Sequence, residues 1–591
     1  MCLYTQMPEN PRTPDTPAPR DLPTFTVKVE GQALARAYQV LAVRVQKEAN
    51  RIPTAHIVLK DGSAAAGTFP ASNADLFVPG RKVEVWAGYH EKEQLIFKGL
   101  IIKHAIEART TGTTRLNVTC KDAFVKTTLA PKRRYFLDKK DSEVAEQIVE
   151  AYSGLTLDAT ATTSKHEELL QYDATDWDFM VMRAEANGML CLVDDGKLTI
   201  TKPKLDQAPI TKLQFGATVL DFDAEIDARD QLSSLTTTTW DYSESKMAKA
   251  EAAEPNFKQQ GNLSADNLAE ALGTKLTLQH GGYLPTGELQ AWADATLLKR
   301  RLAKIRGRIR FYGNADVKPG TIINLAGMGE RFNGDAYVTG VNHRLESGSW
   351  TTDAQFGLNP QPFAAEVNVS TLPAGGLLPS VSGLQIGTVT ALEGDAAGEE
   401  RIAVRLPILD AAGTGSRARV LSVDAGNQRG FYFRPEVGDE VVVGFLNNDP
   451  REAVVLGGLH SSHNPIPAPF KTADANPKKG YVSRSKLQVV FDDEKKSLTL
   501  ETPAGNIFKL DDDAQSITLQ DQHGNKIVMS DAGISLESIK DVIIKAAVDV
   551  KVNGVNVTHT AQTQFKASGS GTAEVSSSGN TTIKGAMVQI N

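Results

Sequence analysis

Cysteine and aromatic residues are scarce in this chain. Only three of its 591 residues are cysteines (Cys2, Cys120 and Cys191), and aromatic residues make up 6%. Three widely separated cysteines cannot form a disulfide framework, which indicates folding in a reducing compartment. The 48 glycines against 5 tryptophans favour many short strands joined by turns.

Long apolar runs and an excess of basic charge are also missing. No apolar run approaches the ~18 residues that are needed to cross a bilayer. The N-terminal stretch has no apolar core of signal-peptide length, and its prolines predict a flexible arm over residues 1–23. The net charge of −7 excludes wholesale attraction to nucleic acid. We therefore expect synthesis in the cytoplasm without a signal peptide, and no nucleic-acid partner.

The rest of the chain changes character along its length. At ~150 residues per domain, the length predicts about four domains. We expect a mainly β fold with the following sections: a mixed section with a small α/β part at 24–370, a linker at 371–383, a small barrel at 384–465, a second linker at 466–480 and a repetitive β section at 481–591.

Helical signals in the mixed section are few. Asp141-Ser142-Glu143 predicts a capped start for a helix over Val144–Tyr152. A second helix is expected over Trp177–Ala186 and a third over Leu289–Lys304. The third carries a basic cluster, Lys299-Arg300-Arg301 with Lys304 and Arg306, which could be an RNA patch or a solvated helix face. The acidic chain favours the solvated face.

Residues 384–465 have the pattern of an OB-type Greek-key barrel. Short strands separated by turn sequences are expected at Leu384–Ala391, Arg401–Leu406, Arg417–Ser422, Phe431–Phe433, Glu440–Leu446 and Ala453–Leu459. OB barrels often bind oligonucleotides, but Val381 to Pro465 contains seven Arg, no Lys and eleven acidic residues, a net charge of −4. That charge is opposite to the one a nucleic-acid groove needs, so we interpret the barrel as an adaptor.

The repetitive section consists of short alternating strands, such as Ser497–Leu500, Ser516–Leu519 and Asp549–Val552. Each strand puts two apolar side chains on one face, and no helix is present to cover that face. Several identical chains winding together would bury these side chains at a shared axis, so we predict an obligately oligomeric β-prism. Its predicted core residues are Ile517, Leu519, Ile527, Met529, Ile534, Leu536, Val550 and Val552.

Several motifs resemble the Vgr-type spike proteins of contractile injection systems, over nearly the whole chain. Gln171–Phe179, followed by Arg183–Gly188, is similar to the hub signature of that family, with Ala174 and Thr175 as departures. In the barrel, Arg434–Val441 and Phe445–Pro450 resemble two family turns, although Asn448 stands where the family usually has Gly. Thr582–Asn591 resembles the terminal strand of family spikes.

The resemblance implies a fold and a set of partners. The mixed section would be a hub with two barrel-like β domains, the barrel an OB collar, and the last section a trimeric intertwined β-prism needle. The implied partners are two further copies of the chain, inner tube and baseplate proteins at the hub, the target-cell membrane and a PAAR-type tip protein. We expect the tip protein to dock on the last strand, at Met587, Val588, Gln589, Ile590 and Asn591.

Residues that could carry chemistry have simpler structural interpretations. His460 and His463 could begin a zinc site, and Asp511–Asp513 could bind Ca²⁺, but each lacks the remaining ligands. Cys120 and Cys191 are expected to be buried core thiols, and Gly327–Arg331 a turn between strands rather than a nucleotide loop. We therefore predict no catalytic, metal or cofactor site.

Two functions from different classes remain. The first is a non-enzymatic hub and spike that couples the six-fold inner tube of an injection machine to a three-fold, membrane-puncturing needle. The second is a spike that carries a cell-wall-degrading or effector activity. The sequence does not distinguish a type VI secretion system from a released extracellular particle.

Overall fold

The computed structural model describes residues 22–109 and 113–590. Most of the predicted arm, with Cys2, lies outside the described residues, as does Asn591. The chain separates into two compact units, the first ending at Gly376 and the second beginning at Leu377. In the described part of the chain, no helix is long and apolar enough to span a membrane.

Strands dominate the first unit. They are β1 (Thr24–Val29), β2 (Gln32–Ala33), β3 (Val40–Glu48), β4 (Thr54–Lys60), β5 (Lys82–Tyr89), β6 (Lys92–Glu107), β7 (Arg115–Lys121), β8 (Pro131–Lys140), β9 (Thr156–Ala159), β10 (Lys165–Thr175), β11 (Leu190–Asp194), β12 (Lys197–Thr201), β13 (Thr211–Gln214), β14 (Val219–Ile226), β15 (Ser234–Asp241), β16 (Lys246–Glu251), β17 (Lys275–His280), β18 (Ile305–Tyr312), β19 (Ile322–Ala326), β20 (Gly334–Glu346) and β21 (Ser349–Phe356). The helices are α1 (Asp141–Glu150), α2 (Asp176–Ala186), α3 (Ala265–Leu272), α4 (Thr286–Leu302) and α5 (Phe363–Glu366).

One 13-stranded sheet connects the early and late parts of this unit. Its order is β14-β18-β21-β20-β3-β4-β7-β6-β5-β1-β2, with β13 and β19 joined beside β20. Strand β20 pairs with β21 on one side and with β3 on the other, so the two halves share a single sheet. The early half packs around Val45 and Ile57, and the late half around Ile309 and Val338. Smaller sheets, β8 with β10, β11-β12-β9 and β16-β15-β17, complete the unit.

The three predicted helices are present, and α1 has the predicted capped start. At α1 the Glu143 carboxylate accepts a hydrogen bond from the Lys140 N–H at 2.8 Å. At α2 the Thr175 hydroxyl accepts one from the Asp178 N–H at 3.1 Å. Such caps satisfy backbone donors that have no partner inside the helix. Helix α3 was not predicted from the sequence.

The basic cluster at the end of α4 is not a solvated face, and that prediction is wrong. The Arg301 guanidinium is buried and donates to the Glu254 carboxylate at 2.7 and 2.8 Å. The Lys304 Nζ is also buried and donates to three oxygen atoms, those of the Gln259 side chain and the Gln260 and Leu263 carbonyls. Burial lowers the pKa of Lys304 to about 8. The cluster therefore holds this part of the unit together.

The second unit begins with a closed barrel. Its strands are β22 (Gln385–Ala391), β23 (Ile402–Arg405), β24 (Ser416–Val420), β27 (Glu440–Phe445) and β28 (Ala453–Gly458), which close in the order β22-β23-β24-β28-β27. The core of the barrel includes Val404 and Val441. This confirms the predicted OB-type collar. The prediction of a strand at Phe431–Phe433 is wrong. The chain there forms only a short ladder of β25 (Ala425–Gly426) with β26 (Arg429–Gly430), and Phe431–Phe433 follow it in an exposed loop.

Buried His343 in β20 makes the stability of the first unit depend on pH. Burial, with smaller contributions from the Lys47 and Lys318 charges, lowers the pKa of His343 to about 3. Its Nδ1 lies 2.9 Å from the Thr352 hydroxyl. Because the pKa of His343 is lower in the folded than in the unfolded state, its neutral imidazole favours folding of the first unit. This contribution to the free energy of unfolding is fully present above pH ~6.5 and is lost as the pH falls towards 3.

We therefore predict that His343→Gln reduces the acid sensitivity of this unit. The free energy of unfolding of the unsubstituted protein should fall by roughly 3 kcal/mol more between pH 7 and pH 4 than that of the variant. Chemical denaturation at the two pH values measures this difference. The control is His56→Gln, at a more exposed position of the same sheet, where desolvation also lowers the pKa of the imidazole, so this variant should reduce the acid sensitivity less than His343→Gln. Equal acid sensitivity of His343→Gln and the unsubstituted protein would contradict the prediction.

Candidate assembly surfaces

The last section of the chain begins as a seven-stranded antiparallel meander, which we call the needle sheet. Its strands are β29 (Lys478–Val482), β30 (Gln488–Asp492), β31 (Ser497–Glu501), β32 (Ile507–Asp511), β33 (Ser516–Gln520), β34 (Lys526–Ser530) and β35 (Gly533–Glu537), paired in sequence order. Most of the predicted needle strands are present. The strand predicted at Asp549–Val552 is not, because no other segment of the described chain forms a ladder with it.

The register of the needle sheet puts its apolar side chains on one face. Ile517 lies opposite Met529, and Leu519 lies opposite Ile527. Residues directly opposite each other in an antiparallel pair share a face of the sheet. Following the same register through all seven strands gives a continuous apolar face of Tyr481, Val489, Phe491, Leu498, Leu500, Phe508, Leu510, Ile517, Leu519, Ile527, Met529, Ile534 and Leu536.

This apolar face is open to solvent in the single chain. Ile517 is 41% exposed, Leu519 53% and Ile534 74%. Between these residues, Thr499, Lys509 and other mostly polar side chains point to the opposite face. An exposed apolar surface of this extent marks an interaction site in a folded protein.

The structure also adds residues that the prediction missed. Phe491, Phe508 and Leu510 share the apolar face with the predicted core residues. Their signal was present in the sequence as alternation in Val489-Val490-Phe491 and Phe508-Lys509-Leu510. The alternation is less clear in the first run, because the apolar Val490 stands between Val489 and Phe491, the two residues that share the apolar face.

Residues 538–590 have no strand or helix in the structure. After Ser538 their side chains are exposed, including Val550 and Val552, which the prediction assigned to the needle core. Val550 and Val552 are therefore not brought together with the residues of the apolar face by the single chain. A β-strand needs a neighbouring strand, and no strand of the described chain pairs with this segment.

The predicted docking residues lie at the far end of this segment. Met587 and Ile590 are each 86% exposed and Val588 is 49% exposed. Gln589 is also exposed, while Asn591 lies outside the described residues. Three apolar side chains within four positions form a small exposed patch.

The hub signature forms a buried polar network around Asp176. This side chain is completely buried at the start of α2. The Tyr152 hydroxyl donates to it at 2.6 Å and the Gln171 amide at 3.0 Å. Lys132 lies 3.1 Å away, and Arg134 donates to the other carboxylate oxygen. The signature residues thus join the β8–β10 ribbon to α1 and α2.

These partners keep the Asp176 carboxylate charged. Burial by itself raises the pKa of Asp176, but hydrogen bonds from Tyr152, Gln171 and Lys132 and the charge of Arg134 outweigh it and lower the pKa below its usual value. A buried charge that is fully paired is tolerated, whereas removing one partner leaves the others uncompensated. The role of Asp176 is therefore structural.

We predict that Asp176→Asn destabilises the first unit by about 3 kcal/mol, because Arg134 and Lys132 lose their counter-charge. Thermal or chemical denaturation would measure the loss. The matched control is Asp173→Asn, which removes the partner of the exposed Arg133 and should cost less than about 1 kcal/mol. An Asp176→Asn variant as stable as the Asp173→Asn control would contradict this account.

The residues considered for chemistry do not converge in the described part of the chain. His460 and His463 are exposed, and the Nδ1 of His460 lies 3.3 Å from the Asn464 carbonyl oxygen. Asp511 pairs with Lys509 and accepts from the Ala514 N–H at a turn. Among the described residues, no group of three or more His, Cys, Asp or Glu is arranged to hold a metal ion.

The remaining candidates are part of the fold. Cys120 and Cys191 are buried as predicted, and burial raises the pKa of the Cys120 thiol to about 12. Gly327–Arg331 forms the predicted turn between β19 and β20. In the first unit, most charged residues that line a cleft of about 530 Å³ are paired, such as Arg51 with Glu366 at 2.6 Å, whereas burial raises the pKa of the Glu48 carboxyl there.

Comparisons with known proteins agree with this architecture. A family model described as the Alg8 N-terminal domain matches residues 19–347, more than half of the chain. A second, described as the type VI secretion system/phage-baseplate injector OB domain, matches residues 385–460, which form the closed barrel.

Solved structures show general likeness at low identity. A tail protein from Neisseria meningitidis MC58 is 14% identical, with 57% of this chain and 97% of that chain covered and a TM-score of 0.42. The E. coli c3393 protein, described as a component of the type VI secretion system, is 12% identical over 73% and 99%, with a TM-score of 0.37. A Francisella PdpA-VgrG complex is 9% identical over 87% and 80%, also with a TM-score of 0.37.

The two family matches are adjacent in the chain and coincide with different parts of the fold. The first spans most of the 13-stranded sheet, and the second spans the barrel. The chain belongs to the Alg8 N-terminal domain family, and with the injector OB domain that follows it is a hub-spike protein of the Vgr type, a structural component of a contractile injection system.

Proposed function

We propose that three copies of this chain assemble through their needle sheets into a spike that punctures a target membrane mechanically. The observation that carries the proposal is the continuous apolar face, which includes Ile517, Leu519 and Met529 and is exposed in the single chain. Full burial of each large apolar side chain stabilises an assembly by roughly 1.5–3 kcal/mol. A shared axis buries the same face of every copy.

The segment 538–590 supports the same assembly. It has no strand partner in its own described chain, although residues such as Val550 and Val552 alternate with polar neighbours. Strands from neighbouring copies would supply the missing backbone hydrogen bonds. The result would be a prism without free sheet edges, which suits a part that must transmit force.

The first unit would then act as the hub. It has two β halves, each with its own core, joined by the pairing of β20 with β3. Three copies would present six similar halves, which fits an adaptor between a six-fold inner tube and a three-fold needle. Inner tube and baseplate proteins are its partners in this proposal. The chain would leave the cell as part of the particle.

The proposed role is mechanical and not enzymatic. The network around Asp176 is fully paired and caps the start of a helix, and the exposed His460 and His463 lie in a turn. Most of the charged residues that line the cleft in the first unit are paired, such as Arg51 with Glu366 and Lys299 with Glu185. Turnover of peptidoglycan by the purified chain would favour the alternative, a spike that carries a cell-wall-degrading activity.

We predict that Ile517→Asp with Ile527→Asp prevents assembly. The six carboxylates of three copies would converge on the axis without partners, and burying unpaired charge is costly. Analytical ultracentrifugation should give a trimer for the unsubstituted chain and a monomer for the double variant at micromolar concentration.

The matched control is Thr518→Asp, which introduces the same charge in the same strand on the opposite face. This variant should remain a trimer, because its carboxylate faces solvent beside Lys509. A stable monomer of the unsubstituted chain would overturn the proposed assembly. If only the control variant fails to form a trimer, the interface lies on the face of Thr518 and our proposed interface is wrong.

We also propose that a small tip protein of the PAAR-repeat type docks on residues 587–591. Met587, Val588 and Ile590 form an exposed apolar patch that such a protein would cover. Deleting residues 588–591 should abolish co-purification with the tip protein while the trimer persists. The control is a Thr581→Ala, Thr582→Ala double variant, which leaves the patch intact. Equal binding by the deletion variant would contradict the docking proposal.

A further inference from the structure

The collar carries an exposed loop between β24 and β27, here called the collar loop (residues 421–437). Its large apolar side chains point into solvent. Phe431 is 57% exposed, Phe433 58% and Val423 94%. The loop lies outside the barrel core, which is complete without it. Apolar residues of this size are seldom grouped on a surface without a partner.

The collar loop is held in one conformation by polar contacts. The Phe431 N–H donates to the Asp424 carbonyl at 2.9 Å, and the Ser422 hydroxyl lies 2.8 Å from the Phe431 carbonyl. At its other end, the Arg434 guanidinium donates to Glu400 at 2.7 Å and lies 5.1 Å from the Tyr432 ring. A loop ordered before binding loses little conformational entropy when it binds.

Its aromatic rings continue into the needle sheet. The Phe431 and Phe433 rings are stacked with their centroids 6.0 Å apart. The Phe433 ring is 5.0 Å from that of Tyr481, the first residue of the apolar face. Tyr481 in turn lies opposite Val489 in the sheet. We call Phe431, Phe433 and Tyr481 the aromatic strip; it extends the apolar face from the needle sheet onto the collar.

Charged residues of the collar loop are already neutralised within the chain. Asp424 pairs with Arg429 at 2.8 Å, and Glu436 pairs with Arg484 at 3.1 Å. Arg434 pairs with Glu400. The loop therefore offers no unpaired charge that would select an acidic or basic partner, and its attraction is apolar and aromatic.

We propose that the aromatic strip docks against a second copy of this chain, so that the collar takes part in the assembly interface. The proposal rests on the proposed trimer, because the strip is continuous with the face that would lie at its axis. Aromatic anchors in the centre of an interface commonly carry most of its binding energy. The strip would thus lock the collars of neighbouring chains at the base of the needle.

The first test is dissociation on dilution. Phe431→Ala with Phe433→Ala should raise the concentration at which half the trimer dissociates by about tenfold or more. The control is Leu409→Ala, an apolar residue of the collar that lies outside the loop and is more exposed than either phenylalanine. A double variant that dissociates at the same concentration as the control would overturn the inference while leaving the proposed function in place.

The second test is protection from a maleimide reagent in a Cys2→Ser background. Cys120 and Cys191 are buried, and burial raises the pKa of both thiols, so they should not react in the folded chain. Phe433→Cys should be labelled about tenfold more slowly than Leu409→Cys in the trimer, because a partner copy covers only the first.

Protection of Phe433→Cys should disappear when Ile517→Asp and Ile527→Asp are added. Equal labelling of Phe433→Cys and Leu409→Cys in a protein of trimer mass would overturn the inference alone. Continued protection in the monomeric variant would also overturn it, because the cover would then come from the same chain. A monomeric unsubstituted chain would instead refute the proposed function.

Discussion

Unburied apolar surface on the needle sheet is the constraint on which our account depends. The meander satisfies the backbone hydrogen bonds of its inner strands, but it leaves Ile517, Leu519, Met529 and their neighbours on an open face. Burying such side chains is the main favourable term in protein association. The segment 538–590 has the complementary deficit, since its backbone has no strand partner in the described chain. In the proposed assembly, association of identical chains would bury the apolar face and supply strand partners to this segment at the same time.

In the hub, buried charged and polar side chains are paired within one chain, whereas the apolar face of the needle sheet is left exposed. Asp176 collects four donors from the ribbon and helices around it, and the Arg301 guanidinium is paired with Glu254. Such paired charges fix the positions of elements that are distant in sequence. A hub that folds as a unit suits the proposed role of carrying a needle whose last segment would find strand partners only in neighbouring copies.

Alternation predicted the needle strands β31, β33, β34 and β35 and the apolar side chains that share a face on them, because side-chain direction in a strand has a period of two residues. It did not predict β29, β30 and β32. Capping residues likewise predicted the start of α1. The environment of Arg301 could not be predicted, because Glu254 approaches it from another part of the chain. Phe431–Phe433 has strand composition, but the collar barrel closes without it. Asp549–Val552 has the needle pattern, yet a single chain offers it no partner.

Hydrogen–deuterium exchange of the full chain in its assembled form tests the central claim most directly. If strands from neighbouring copies pair with residues 538–590, the amides of this segment should exchange far more slowly than those of an unstructured peptide. Protection should be lost in the Ile517→Asp, Ile527→Asp variant and retained in Thr518→Asp. Exchange of this segment at unstructured rates in a protein of trimer mass would contradict the account.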